Sequence, residues 1–309
     1  MEELLLYCSV SANFVVIGVM LRRRCGLSRC FTFYLLSMAV TDLLVIITGA
    51  VLIRIVPMTY PSNLLTFSPG CNVNLAVAYG VRDCSVWVMV MFTFDRFVAI
   101  CCQQLKTKYC TERTAKVVIG TVVAMSCFKN IFVFFEFEPA HNTEPTPCIV
   151  KTSYYTSPGW ITYDWIDSIL VPCAPLVLIL LFNFITIRYI VRAIRVRRRL
   201  QNGGNSERQN DPEMESRRKS IVLLLSISGI FVLFWILVLV RFLYVRIANV
   251  YYFSGSNYSE SIFPLEESSF LLQFLCSCVN PFIYAGTQSK IRDEIKLALK
   301  YPLTLLRKR

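Results

Sequence analysis

Residues 84–102 read CSVWVMVMFTFDRFVAICC, an uncharged run broken near its end by Asp95-Arg96-Phe97. A helix from Cys71 to Arg96 would be about 37 Å long, enough to cross a hydrocarbon core of roughly 30 Å. Charges inside a bilayer cost several kcal/mol unless they are paired or hydrated. Asp95 and Arg96 are therefore expected where the helix leaves the core, with Arg96 held by its neighbour in one state and released to a partner in another. A snorkelling interfacial arginine is the plainer reading of the same tripeptide.

Working outward, six more stretches are long and apolar enough to span. The expected spans are 4–21, 31–53, 71–100, 115–135, 164–194, 218–245 and 265–288, and they leave too little chain between them for a separate soluble domain. The expected fold is an all-α membrane protein: one domain over residues 1–309, built as a seven-transmembrane helix bundle. A short amphipathic C-terminal helix is expected at 290–301, where Ile291, Ile295, Leu297 and Leu299 recur among charges and suit an inner-leaflet surface.

The net charge of +12 raises the question of nucleic acid, and its distribution decides against it. Lys and Arg number four in residues 22–30, three in 101–114, ten in 188–219 and seven in 288–309, against one each in 54–70, 136–160 and 246–267. The positive-inside rule then places the basic loops in the cytoplasm, with the N-terminus outside and the C-terminus inside. Met1-Glu2-Glu3 is acidic where a signal peptide would be basic, so the first span is expected to direct its own insertion. The localisation expected is the plasma membrane, multi-pass, with the lipid bilayer as a partner. Of thirteen cysteines, only Cys71 and Cys148 fall at the expected outer face, where thiols oxidise. Asn257-Tyr258-Ser259 is a glycosylation candidate on the same side.

Asp42 lies in the middle of the second span. Ser85, Ser277 and Asn280 are near enough in depth to surround it with oxygens, which suits a small hydrated cation or a proton-linked switch; a neutral, hydrogen-bonded Asp42 is the alternative. Asn280-Pro281, followed by Tyr284, permits a bend whose freed carbonyls the asparagine can satisfy. Ala78, Arg82 and Ser85 share one helical face, and Asp83 adjoins Arg82. Arg82 could receive a ligand carboxylate and Asp83 an ammonium group, between aromatic walls at Tyr79, Phe242, Phe270 and Phe274. Equally, Arg82 and Asp83 could pair with each other or with neighbouring helices.

The combination resembles the rhodopsin-like family of G-protein-coupled receptors. The resemblance runs through Asn13, Leu36 and Asp42, Cys71, Asp95-Arg96-Phe97, Pro172 or Pro175, Phe231 with Trp235, and Asn280 to Tyr284. Longer stretches, such as RRRCGLSRC and DPEMESRRKSIVLLLSISG, are similar to orphan members described as G-protein-coupled receptor 139-like. The resemblance implies a Cys71–Cys148 disulfide and a sodium ion near Asp42, Ser85 and Ser277, with no other cofactor. It also implies an activation switch of Asp95, Arg96, Phe231, Trp235, Asn280, Pro281 and Tyr284. The implied function is transduction of an extracellular ligand to heterotrimeric G proteins, by analogy of the Gq class. The ligand would be a small carboxylate-bearing molecule such as an aromatic amino acid, or a short peptide. Aminergic ligands are disfavoured because Ala78 stands where amine receptors carry an aspartate. Departures from the family pattern are Leu237 in place of a sixth-helix proline, the lack of a fourth-helix tryptophan, and Asn183 where a tyrosine is common.

Rival readings fit less well. A channel or transporter needs a continuous polar path, whereas the polar positions cluster at Asp42 and at the inner mouth. An enzyme is not expected: the sole histidine, His141, lies in a loop, and no Ser-Lys or paired-aspartate arrangement stands out. A receptor-like protein that does not signal is the remaining alternative.

Overall fold

The computed structural model describes residues 2–22, 26–60, 69–139, 148–201, 212–248, 250 and 262–306. Helix α1 is Glu2–Leu21, and α2 starts at Arg29, with Ser28 capping it by accepting from the Phe31 amide. From Ile46 to Ile55, α2 widens to an i→i+5 pattern, and a final α-turn, Val56–Thr59, carries Pro57. Helix α3 is Gly70–Cys101 and α4 is Glu112–Asn130, the latter capped by Thr111 and prolonged by a 3₁₀ turn, Phe132–Phe135. Helix α5 has three parts: Pro158–Ser168, a widened stretch Ile169–Cys173 that contains Pro172, and Ala174–Gln201. Helix α6 is Pro212–Ala248, α7 is Phe263–Thr287 and α8 is Ser289–Leu306.

Six of these helices, α2 to α7, are long and apolar enough to cross a membrane, and Leu6–Leu21 of α1 is a shorter apolar helix. With α1 at 20 residues, about 30 Å, seven spans are in place. Most run past their expected limits, by up to seven residues at the end of α5, because backbone hydrogen bonding persists past the apolar stretch into the polar flanks, while α7 stops one residue short at Thr287. The chief departure from an all-α chain is a two-stranded ribbon, β1 (Phe137–Pro139) against β2 (Cys148–Val150), antiparallel with Glu138 opposite Ile149. It folds back because Cys148 is joined to Cys71 at the start of α3. Asn72 secures the approach, donating to the carbonyls of Phe134 (2.9 Å) and Phe137 (3.1 Å).

Helix α3 is the hub, packed against α2, α4, α5 and α6, while α1 closes the ring by touching α2 and α7. Its interior face is buried from Val86 through Phe92, against Tyr34, Leu35, Ile179 and Leu224. Large apolar side chains face outward instead, among them Phe14, Val117, Phe128, Val177, Leu233 and Phe282. A surface of that kind is stable against lipid, not water. Helix α8 lies against α1 and α7 with Ile291 fully buried, while Leu297 is exposed.

Gly49 marks the tightest helix–helix approach. A Cβ there would come within 2.5 Å of the Phe274 ring of α7. Gly49→Ala is expected to lower the thermal midpoint in detergent, by the roughly 1–3 kcal/mol typical of an overfilled contact. Phe274→Leu in the same chain should restore most of the loss, whereas additive losses would show that the two residues do not share this contact.

Candidate functional site

Three polar nodes sit along the bundle axis. The middle one centres on Asp42 of α2, which is 2% exposed. Ser85 of α3 donates to its Oδ1 at 3.1 Å and Asn280 of α7 to its Oδ2 at 2.8 Å, so one carboxyl group binds three helices. Beside it lies a cavity of about 20 Å³, bordered by Asp42, Ser85, Ser277, Asn280, Phe231 and Trp235 among others. About 10–15 Å³ suffices for one water-sized guest. The Ser277 hydroxyl borders this space, while its backbone carbonyl accepts from Asn13 of α1 at 3.4 Å. Asn280 Oδ1 is buried with no hydrogen-bond partner. A hard, water-sized cation suits such an oxygen set. Phe231 and Trp235 stack at 5.3 Å over the same cavity.

The second node lies at the far end of α3. Arg96 Nε donates to Asp95 Oδ2 at 3.0 Å, and Nη2 to the same oxygen, while its guanidinium lies 4.4 Å from the Phe31 ring centroid. Asp95 is fully buried, and its other oxygen, Oδ1, accepts from the thiol of Cys30 at 3.1 Å. Sequence reasoning passed over Cys30, because nothing in a lone cysteine at a span's edge signals a carboxylate partner. Elsewhere in the bundle, Tyr284 Oη, Asn183 Oδ1 and Ser228 Oγ are buried without hydrogen-bond partners among the described residues.

The third node, toward the disulfide, bears on the two readings of Arg82 and Asp83. Asp83 is 1% exposed and engaged by Arg82 (3.1 and 3.2 Å), Lys129 of α4 (2.7 Å) and Asn130 (2.6 Å). Asp167 of α5 completes the cluster, pairing with Arg82 at 3.3 Å and with Lys129. Asp83 is thus already matched by two cations, Arg82 and Lys129, the pairing with neighbouring helices that was the second of the two readings. Arg82 also borders the Asp42 cavity and lies 4.4 Å over Tyr79. Ala78 is buried.

The expected aromatic walls go to separate partners. Phe242 meets Trp165 edge-on at 5.0 Å, and Phe274 covers Gly49. Phe270 lies between the guanidinium groups of Arg54 (4.8 Å) and Arg241 (5.5 Å), with Arg54 held by Glu267 at 2.6 and 3.0 Å. Arg241 faces Glu266, and Arg246 pairs with Asp164. A further acid, Glu136, follows the α4 turn. It is 6% exposed, its carboxylate makes no hydrogen bond among the described residues, and burial together with nearby Asp167 pushes its pKa up to about 8. Its hydrophilicity alone reads as a loop residue, so sequence reasoning missed it. The sequon at Asn257 lies outside the described residues.

Seven spans, a disulfide from the start of α3 to the strand after α4, and an acid–arginine pair at the other end of α3 form one constellation. Residues 12–284 match the family profile described as 7 transmembrane receptor (rhodopsin family). The chain belongs to that family. The receptor is similar to the tachykinin-like peptides receptor 86C of Drosophila melanogaster, 22% identical over 297 residues, covering 94% of this chain and 56% of that relative. The receptor thus spans little more than half the length of this relative. Membership places it among multi-pass membrane receptors, not enzymes.

The Cys30 thiol should be coupled energetically to the Asp95 carboxylate. In a thermal unfolding cycle of Cys30→Ala, Asp95→Asn and the double variant, the expected coupling is about 1 kcal/mol, that of one hydrogen bond. Cys30→Ser should keep most of it. Additive single effects would make the thiol a bystander.

Proposed function

We propose that the receptor sits in the plasma membrane with its N-terminus outside and its C-terminus in the cytoplasm. There it couples an extracellular ligand to heterotrimeric G proteins, of the Gq class by analogy. The observation that carries this reading is the Asp95–Arg96 pair, closed between neighbours at the end of α3, in a bundle whose buried Tyr284, Asn183 and Ser228 have no hydrogen-bond partner among the described residues. Unsatisfied buried groups cost about 1–3 kcal/mol each. A rearrangement that frees Arg96 and gives Tyr284, Asn183 and Ser228 partners recovers part of the cost of breaking the pair. The sidedness rests on the basic loops at the Asp95 end.

The ligand we infer is a short peptide or a small molecule bearing a carboxylate, such as an aromatic amino acid. Arg54, Arg82, Arg241 and Arg246 supply cations toward the disulfide end, each now matched with an acid that a ligand carboxylate could displace. For an ammonium group, Glu136 replaces Asp83 as the acceptor: it is buried, its carboxylate makes no hydrogen bond among the described residues, and a ligand cation would favour its charged form against the burial that raises its pKa. The name of the fly relative, a receptor for tachykinin-like peptides, favours the peptide over the amino acid.

The deciding experiment measures activation of the four G-protein classes in cells, with aromatic amino acids and short peptides as ligands and Arg96→Ala beside the intact receptor. The expected outcome is a response in one class that falls at least tenfold in Arg96→Ala at equal surface expression. A surface-expressed receptor silent in every class would favour the non-signalling reading, to which Leu237 in α6 also points.

We further propose that sodium occupies the Asp42 cavity, held by Asp42, Ser85, Ser277 and Asn280. The thermal midpoint of the purified receptor should then be higher in sodium chloride than in choline chloride at equal ionic strength, by about 2–4 °C for each kcal/mol of stabilisation. Asp42→Asn should abolish the difference, and an equal midpoint in both salts would remove the ion from this site.

A further inference from the structure

A second cavity lies on the outer wall of the bundle at the Asp95 end, away from the axial nodes. It has a volume of about 300 Å³, and its walls include Met20 and Leu21 from the end of α1, Leu27 from the connecting loop, and Phe33 and Leu36 from α2. Leu36 stands seven residues beyond Arg29, so the groove reaches about 10 Å along α2 from its charged rim toward the membrane core. Leu21 beside it is largely exposed, as is Val117 on neighbouring α4, so this wall faces lipid.

The rim is cationic. Arg29 borders the cavity itself, and its guanidinium reaches Glu112 of α4 at 3.2 Å. Lys116 meets the same carboxylate at 2.8 Å and lies 4.9 Å from the ring centroid of Phe33, one of the walls. Lys290, near the start of α8, donates to the carbonyl of Gly26, another bordering residue, at 3.0 Å. Gly26 has φ +56°, the left-handed region that lets its carbonyl turn to that lysine. Three cations therefore surround the mouth of an apolar trough, opposed by one carboxylate that two of them share.

We propose that this groove is a binding site for an anionic glycerophospholipid of the cytoplasmic leaflet, an acyl chain in the trough and the phosphate among Arg29, Lys116 and Lys290. The inference rests on the sidedness proposed above. A basic cluster is drawn to an anionic membrane surface, and the trough adds the burial of a chain, which free phosphate cannot supply. Because Lys290 belongs to α8, Arg29 to α2 and Lys116 to α4, one bound lipid would tie the root of α8 to the first inner loop and to α4. The occupied site would thereby hold together the elements around the closed Asp95–Arg96 pair.

The test is native mass spectrometry of the full chain, released from nanodiscs of phosphatidylcholine alone or with phosphatidylserine or phosphatidylinositol 4-phosphate. The variants are Leu27→Trp, which fills the trough and keeps every charge, and Arg29→Gln with Lys290→Gln, a surface change that leaves the trough open. Arg195→Gln is the control, removing a basic charge elsewhere. The expected result is a retained anionic-lipid adduct in the wild type and the control, reduced at least fivefold in both variants. Equal retention of phosphatidylcholine, or an adduct that survives in both variants, overturns the site. Soluble inositol phosphate should leave no adduct, and one that appears would make the site a phosphate site without a chain. The readout does not depend on sidedness: an inverted receptor would keep the adduct and fail only a separate protease-accessibility test of the loop containing Arg195.

Discussion

A charge carried into a bilayer has to be matched by another group inside the bundle, and α3 carries two adjacent acid–base pairs. Arg82 and Asp83 stand about 18 Å from Asp95 and Arg96 along the helix axis. The first pair recruits Lys129 and Asn130 from α4 and Asp167 from α5, and the second recruits Cys30 from α2. Between them, Ser85 reaches Asp42, and Asp42 reaches Asn280 of α7. The order of helices around α3 follows from these three matches as much as from apolar packing, since lipid offers side chains nearly the same solvation as a core.

The two charge nodes differ in what they hold. Around Asp83, two cations, two acids and an amide close on one another, and losing one member would strand a buried charge, which costs far more than the pair contributes. That node is suited to fixing geometry. At Asp95 the bonds are fewer, and the arginine's own neighbour supplies its main partner. A pair with so few partners is cheaper to rearrange than the Asp83 node.

The fold was legible because span length is set by the bilayer itself and does not depend on which helix touches which. Asp42, Ser85 and Asn280 were also legible, since a polar residue at mid-membrane depth has few partners to choose from. Asp83 stayed between two readings in the sequence because its rotation about α3 decides whether it faces a ligand or α4, and a single residue's spacing does not distinguish those. Cys30 and Glu136 were missed for a related reason: each acquires its role from a neighbour distant in sequence, Asp95 in one case and Asp167 in the other. The neighbours of the aromatic residues were hidden similarly, as Phe274 is placed by the absence of a side chain at Gly49.

Leu237 changes how the bundle can move. Without a proline there, α6 runs unbroken from Pro212 to Ala248, and the Leu237 carbonyl lies 3.4 Å from the Ser269 hydroxyl of α7, which donates mainly to Leu265 O at 2.6 Å. An uninterrupted helix resists bending, so strain applied at its outer end is carried along it as a rigid-body tilt. Compliance lies elsewhere: in the widened turns of α2 and α5, where i→i+5 bonds replace tighter ones, and at Pro281 in α7, one residue after the asparagine that binds Asp42. Phe231 and Trp235 are fixed to the rigid element and border the same cavity as Asp42. A tilt of α6 therefore bears first on the Asp42–Asn280 bond and, through Pro281, on Tyr284. Helix α7, not a kink in α6, is the element best placed to carry a change at the disulfide end to Arg96.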